Sequence, residues 1–237
     1  MNILPSYVLI PMPKKQYLKE KVLKRIDELP AKNSKEEFKQ GTLPETIVTS
    51  EVAAAFKFAF EYELEYTTLD GPKKTKASRE IPIVFLDKGF LLIGYCTNDI
   101  QQKVLEFIEK NFVHGVVLNP IKFQERTLRE AIENCPDVSQ ADIEPSAMKR
   151  VDRISCIGRG ITDSEFWEDY GSEPLRMVKV NVSQLPEEPN VSFRKNGVIA
   201  IHNTSFTLDQ QVMVLNYVVE KIIGPYLQEI RLQTKLV

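Results

Sequence analysis

Few residues of this chain have the types and spacing that catalysis or metal binding requires. The chain has two histidines, His114 and His202, and three cysteines, Cys96, Cys135 and Cys156. Neither histidine has a cysteine, an aspartate or the other histidine at the spacing of a metal-ligand set. Cys96 has no basic sequence neighbour to lower the pKa of its thiol, as a nucleophile needs. The sequence therefore predicts no catalytic residue, no metal ion and no cofactor.

Two further motifs are weak signals of chemistry. The segment 156–160, CIGRG, contains Gly-x-Gly but lacks the rest of the dinucleotide-binding fingerprint. The segment 36–39, EEFK, follows Asp27 with the acid, acid-x-lysine spacing of some metal-dependent nucleases, but it falls in a predicted loop. An enzyme with an unrecognised site is therefore the third of three functional hypotheses.

The composition is that of an ordinary globular protein. Apolar residues make up 43% of the 237 residues, charged residues 27%, and the formal net charge is −2, so any contact with nucleic acid must be local. An odd number of widely spaced cysteines suits a reducing compartment. Prolines interrupt the N-terminal apolar run, and no stretch approaches the ~20 apolar residues of a membrane span. We therefore expect a cytoplasmic, soluble protein without a signal peptide.

Two stretches of the chain, 83–112 and 191–223, follow the same pattern: a Phe, a polar turn closed by Gly, an apolar run, QQ and a long apolar segment. Gly197 follows Gly89 by 108 residues, and Pro120 follows Pro11 by 109. Anchors whose spacings agree within two residues and that follow the same order predict an internal duplication of about 109 residues. The predicted repeats are 1–113 and 114–237, which together form one pseudo-twofold domain.

Each repeat is predicted to run strand, helix, antiparallel strands, hairpin and long helix. Residues 56–66 alternate apolar and charged side chains, which is typical of a strand. Asn196-Gly197 favours a tight turn, and Thr207 with Gln210 has the spacing of a capping box at a helix start, as does Asn98 with Gln101. Loops are predicted at 31–45, 70–79, 137–150 and 183–190. The predicted fold class is α+β, with a curved antiparallel sheet and helices on one face.

This order of elements resembles the TATA-binding-protein fold, itself a tandem duplication. The segments IVFLDKGFLLIG and VSFRKNGVIAIH follow the outline of that family's hairpin. The resemblance implies a saddle whose sheet binds the DNA minor groove, with Phe85 and Phe193 at the positions of the unstacking wedges. The chain departs from the family pattern in its longer repeat and in the spacing of each Phe from its Gly.

The acidic row Glu61, Glu63 and Glu65 is a third departure, because carboxylates on an open sheet face would repel phosphates. Met177, Lys179 and Asn181 stand at the matching positions of the second repeat. One half of the sheet is thus expected to oppose DNA and the other to tolerate it.

Two binding hypotheses follow. The first is a non-catalytic nucleic-acid-binding protein that uses Lys73, Lys74, Lys76 and Arg79 of the loop 70–79, together with Phe85, Lys179, Phe193, Arg194 and Lys195. The second is a protein-binding adaptor or complex subunit that uses the apolar sheet face, Trp167 in an acidic loop, and the row Glu61, Glu63 and Glu65. The basic residues of the first helix, Lys14, Lys15, Lys19, Lys21, Lys24 and Arg25, are more simply a solvated face, and the aromatic residues of 56–66 are more simply core.

Overall fold

A computed structural model describes residues 4–12, 19–29, 32–33, 39–113, 117–146, 148 and 150–224. In chain order its elements are β1 (Ser6–Pro11), α1 (Lys19–Glu28), β2 (Lys32–Asn33), β3 (Lys39–Thr49), β4 (Ala53–Thr68), β5 (Gly71–Leu86), β6 (Phe90–Gly94), α2 (Asn98–Asn111), α3 (Glu125–Asn134), β7 (Val138–Ile143), β8 (Ile154–Ile157), α4 (Glu165–Tyr170), β9 (Leu175–Asn181), β10 (Asn190–Arg194), β11 (Val198–Ile201) and α5 (Leu208–Tyr217). The predicted α+β class with antiparallel strand pairing is confirmed. No helix of the described ranges is both long and apolar enough to cross a bilayer.

The described residues fall into two compact units. One lies within Met12–Leu118 and the other within Met1–Pro11 and Asn119–Val237, so β1 belongs to the same unit as the C-terminal half.

In the unit Met12–Leu118 the strands follow the order β2-β3-β4-β5-β6. The helix α1 lies against β3 and β4, and α2 packs on the same face through Phe107, whose ring lies 4.5 Å from that of Phe58. That face carries Phe56 and Phe85, whose rings lie 5.8 Å and 5.6 Å from the ring of Phe112 at the end of α2. Thr42 anchors α1 to the same face, because its hydroxyl donates to the carbonyl of Ile26 at 2.8 Å. An aromatic core between helix and sheet follows from the alternation in β4, as expected.

In the other unit the strand order is β1-β11-β10-β9-β7-β8. Val178, Val180 and Phe193 are fully buried and share the face on which α3 packs. The ring of Phe193 lies 6.4 Å from that of Phe123, just before α3. The opposite face of β9 and β10 is therefore the one that lacks α3.

Three predicted loops, 31–45, 70–79 and 137–150, are wrong over part or most of their length. Residues 39–45 belong to β3, residues 71–79 to β5, and residues 138–143 to β7. The first two stretches are rich in charge or proline, but both pair with the 16-residue strand β4, and non-local pairing overrides local composition. Proline is accommodated where the ladder is interrupted: Pro44 lies in the irregularity between Leu43 and Val48.

The predicted turn and one of the two predicted capping boxes are confirmed, and the other capping box is wrong. Gly197 takes φ +87°, and Thr207 and Gln210 form the predicted capping box of α5. The box at Asn98 is wrong, because α2 has Thr97 as its N-cap and that residue makes no side-chain cap. The internal duplication stays a prediction.

Candidate functional site

The end of the β4–β5 hairpin is the first candidate site, and we call residues 61–79 the arm. β4 and β5 pair continuously from Ala53 opposite Leu86 to Thr68 opposite Gly71. β3 pairs with β4 only as far as Phe60, and β6 pairs with β5 only between Ile83 and Leu86. Within the described ranges, the two strands of the arm therefore pair with each other and with no third strand.

The two faces of the arm differ in chemistry. One face presents Tyr62, Leu64 and Tyr66 along β4, and the other presents Glu61, Glu63 and Glu65. Leu64 and Tyr66 are 43% and 44% exposed, and Leu69 at the turn is fully exposed. Large apolar side chains gathered at the end of an exposed hairpin are a typical contact surface for another molecule.

The basic residues of the arm do not form a positive patch. Lys73, Lys74, Lys76 and Arg79 lie on β5 rather than in a loop, and Glu61, Glu63, Glu65 and Asp70 match them in number. Lys74 Nζ lies 2.6 Å from Glu63 Oε1, and Lys73 Nζ lies 3.6 Å from Asp70 Oδ2. The arm is formally neutral, so its field does not favour a polyanion.

The wedge positions implied by the family resemblance are not exposed. Phe85 is 1% exposed and Phe193 is fully buried, because both belong to the helix-covered faces. The predicted apolar open face is also wrong in the unit Met12–Leu118. Val84 and Leu92 pair on the face opposite Phe85, and both are fully buried.

The second candidate site lies on the face of β9, β10 and β11 that points away from α3. Strand register brings together six polar side chains, which we call the polar strip: Lys179, Asn181, Asn190, Ser192, Arg194 and His202. Met177, Val198 and Ala200 occupy the remaining positions of this face. None of these nine positions carries a carboxylate.

His202 is the residue of the polar strip with the clearest environment. Its Nε2 lies 3.0 Å from Ser192 Oγ, and the Ser192 side chain is 1% exposed. Burial lowers the pKa of His202, and the nearby positive charges of Lys179 and Arg194 lower it further. The neutral imidazole is therefore the favoured form near neutral pH.

Two other predicted site residues, Lys195 and Trp167, lie outside the polar strip. Lys195 Nζ contacts Glu144 Oε2 at 2.9 Å, so its charge is compensated. Trp167 lies in the helix α4 rather than in a loop, and its ring packs against Gly171, where an added Cβ would lie 2.8 Å from Cε2. Trp167 thus has a local packing role.

Several predictions fall outside the described ranges: Lys14 and Lys15, the acidic pair at 36–37, and His114. The side chains of Lys19 and Lys21 are outside them too. In the described part of the chain, no three His, Cys, Asp or Glu side chains gather closely enough to hold a metal ion.

Sequence reasoning missed two features of these sites. It treated 70–79 as a loop, although the alternation of β4 continues past Phe60 and an extended partner strand could have been inferred. It also treated His202 as isolated, because its contact with Ser192 depends on the register of β10 against β11. Comparison with models of known families and with curated proteins found no match for this chain.

Proposed function

We propose that this protein is a non-catalytic binding module that attaches to a protein partner through the arm. The observation that carries the proposal is the exposure of Leu64, Tyr66 and Leu69 on a hairpin end that pairs with no other described strand. Complete burial of a side chain of this size against a partner contributes about 1.5–3 kcal/mol, and less where it is already half-covered. The TATA-binding-protein-like duplication is a separate prediction on which this proposal does not depend.

The two edges of the arm differ in how well they can pair with an additional strand. The β5 edge carries Pro72 and lysines, residues that native sheets use to block strand addition. Residues 61–68 of β4 contain neither proline nor lysine and include tyrosine and threonine, which favour strands. The β4 edge is thus the better site for β-augmentation.

The side chains of β4 define the partner strand that fits. Its apolar residues would lie beside Tyr62, Leu64 and Tyr66, and its basic residues beside the acidic row on the other face. A second copy of this chain fits poorly, because antiparallel pairing of β4 with itself that keeps the apolar faces together places glutamate opposite glutamate. We therefore propose a partner segment of alternating apolar and basic residues.

Affinity capture with matched variants tests partner binding. We expect the double variant Leu64→Ser/Leu69→Ser to lose specific partners that the wild-type protein retains. The control variant Ile157→Ser/Met213→Ser removes two other exposed apolar side chains, 72% and 42% exposed, outside the arm. Equal loss in both variants, or retention in the arm variant, would contradict the proposal.

A peptide experiment tests the binding mode. A short peptide of alternating lysine and valine should slow amide hydrogen exchange in residues 61–68. A peptide of alternating glutamate and valine, and a lysine-valine peptide with N-methylated alternate amides, should not. The N-methylated peptide keeps the side chains but cannot form the backbone ladder, so equal protection by both would exclude strand addition.

Nucleic-acid binding is the second candidate function. The carboxylate-free polar strip, with Lys179 and Arg194, favours nucleic-acid binding, whereas the formal neutrality of the arm disfavours nucleic-acid binding there. Fluorescence anisotropy with labelled single- and double-stranded DNA and RNA at two salt concentrations tests it, since phosphate contacts weaken steeply with salt. Binding that falls with salt and is lost in Lys179→Glu/Arg194→Glu would support it. Absence of binding at low salt would exclude it.

A further inference from the structure

We propose that Lys179, Arg194 and His202 form a binding site for a tetrahedral oxyanion, such as a phosphate group, on the polar strip. This site is independent of the arm and of protein-partner binding.

Strand register brings the three side chains around Ser192. Lys179 on β9 is the direct cross-strand partner of Ser192 on β10, and Arg194 lies two residues further along β10 on the same face. His202, which follows β11, bonds Ser192 Oγ from the other side. Direct partners in a sheet have Cβ atoms about 5 Å apart and diagonal neighbours about 7–8 Å, which is within the reach of Lys and Arg to one shared ligand.

The groups that face His202 leave positive charge uncompensated. On the same sheet face as His202 lie Asn190 and Ser192 beside it on β10, Arg194 at the end of β10, Lys179 and Asn181 on β9, Ala200 on β11, Ser6 on β1 and, further away, Gln140 on β7. Among the described residues, no carboxylate lies within salt-bridge distance of Lys179 or Arg194. The acid on the adjacent strand, Asp142, is paired with Arg153 at 3.6 Å. An anion would relieve this repulsion.

The donors suit a phosphate or sulfate group. Lys179 supplies an ammonium and Arg194 a guanidinium with fixed N–H directions, both of which form short charge-assisted bonds to oxyanions. Ser192 occupies one nitrogen of His202 and fixes the plane of its ring. The other ring nitrogen is then available as a donor when the imidazole is protonated.

Protonation of His202 and anion binding are linked. Burial and the two cations hold the pKa of His202 below its ordinary value, so the ring is neutral in the free protein near pH 7. A bound dianion stabilises the imidazolium and must raise that pKa. By reciprocity, the anion binds more tightly as the pH falls through the pKa of His202.

NMR titration of His202 tests the site, with sulfate as the probe because it stays a dianion over the range of the titration. His114→Gln assigns the signal. We expect sulfate to raise the pKa of His202 by about half a unit or more relative to sodium chloride at the same ionic strength, which accounts for screening. An equal pKa in the two salts would overturn the proposal.

Variants separate the site from general charge effects. Lys179→Gln and Arg194→Gln should each raise the pKa of His202 in the absence of sulfate and reduce the sulfate shift. Arg159→Gln, which removes an exposed charge in the loop after β8, should change neither. A sulfate shift that survives in Lys179→Gln/Arg194→Gln would overturn the proposal, and a folded state is verified by the dispersion of the same spectra.

A final comparison distinguishes a small phosphate ligand from the phosphate backbone of a nucleic acid. Inorganic phosphate and a short oligodeoxynucleotide are added separately at equal phosphate concentration, with the His202 signal as readout. A larger shift with inorganic phosphate assigns the site to a small ligand. A larger shift with the oligonucleotide assigns it to a nucleic-acid backbone. A shift with neither overturns the proposal.

Discussion

Glu63 forms its ion pair diagonally across the arm, with Lys74 rather than with its register partner Lys76. Glu63 Oε1 and Lys74 Nζ are 2.6 Å apart, while Lys74 lies directly opposite Glu65. The charge of Glu63 is therefore compensated within the hairpin. Leu64 and Tyr66 on the other face are exposed, and burying them against a partner would remove apolar surface from water.

The Glu63–Lys74 pair should contribute little to stability. Both side chains are more than half exposed, and exposed ion pairs typically contribute about 0.2–1 kcal/mol. A double-mutant cycle with Glu63→Ala and Lys74→Ala, measured by urea unfolding, should give a coupling free energy in that range that shrinks as salt is added. A much larger coupling would mean that the arm is covered.

Phe85 and Phe193 should behave as core residues. Both are almost completely buried among other side chains, so Phe85→Ala and Phe193→Ala should each lower the free energy of unfolding by about 3–5 kcal/mol. Tyr66→Ala, at a position that is 44% exposed, should change it by about 0.5 kcal/mol or less and serves as the control. A small effect of both buried substitutions would indicate that these rings face solvent.

Three glycines should respond differently to alanine. At Gly197 the backbone takes φ +87° and an added Cβ would collide with the backbone carbonyl of Ile121, so Gly197→Ala combines strain with a clash. At Gly71 φ is +108° but no atom lies within 4 Å of the added Cβ, so the cost should be about 1–2 kcal/mol. Gly158 has neither constraint, and Gly158→Ala should be neutral or slightly stabilising. Thermal unfolding of the three variants should rank them in that order of destabilisation.

The thiols should differ in reactivity. Burial, followed by the charge of Asp137, raises the pKa of Cys135 to about 11, and its Sγ donates to the Asn181 carbonyl at 2.8 Å. Burial also raises the pKa of Cys96, partly opposed by Arg79. With a thiol reagent at mildly alkaline pH, we expect Cys156 to react first and the other two only on unfolding. Cys156→Ser should remove the fast phase, and a fast phase that persists would contradict this assignment.

The same thiols give a pH dependence of stability. Because the folded-state pKa of Cys135 lies above its unfolded value, protonated Cys135 contributes stability that is complete below the unfolded pKa. That contribution is lost as the pH rises toward about 11. Cys135→Ala should flatten the alkaline loss of the free energy of unfolding, after correction for the lower stability of the variant. An unchanged alkaline slope would show that Cys135 is not responsible.

The sequence by itself determined those features that depend on neighbours a few residues apart. Alternation over 56–66 identified a strand and, as far as Phe60, its buried face, but the expected core position of Tyr66 is wrong, because its side chain is 44% exposed. Asn196-Gly197 identified a turn, and Thr207 with Gln210 identified a helix start. Each of these signals arises from local backbone geometry or from a single periodicity, so no distant partner is needed to interpret it.

Only the tertiary structure decided which residues form the candidate sites. Residues 71–79 form a long hairpin with β4 because nine of the sixteen cross-strand pairs of β4 and β5 hold them there, although their own composition is typical of a loop. The same pairing places lysines beside glutamates, which cancels the basic patch that the linear sequence suggested. The sequence around Phe85 and Phe193 does not determine whether their rings lie on a buried or an exposed sheet face. Their burial depends on which face the helices cover. His202 contacts Ser192, and senses the charges of Lys179 and Arg194, only through the register of three strands, a non-local property that no short segment of the sequence encodes.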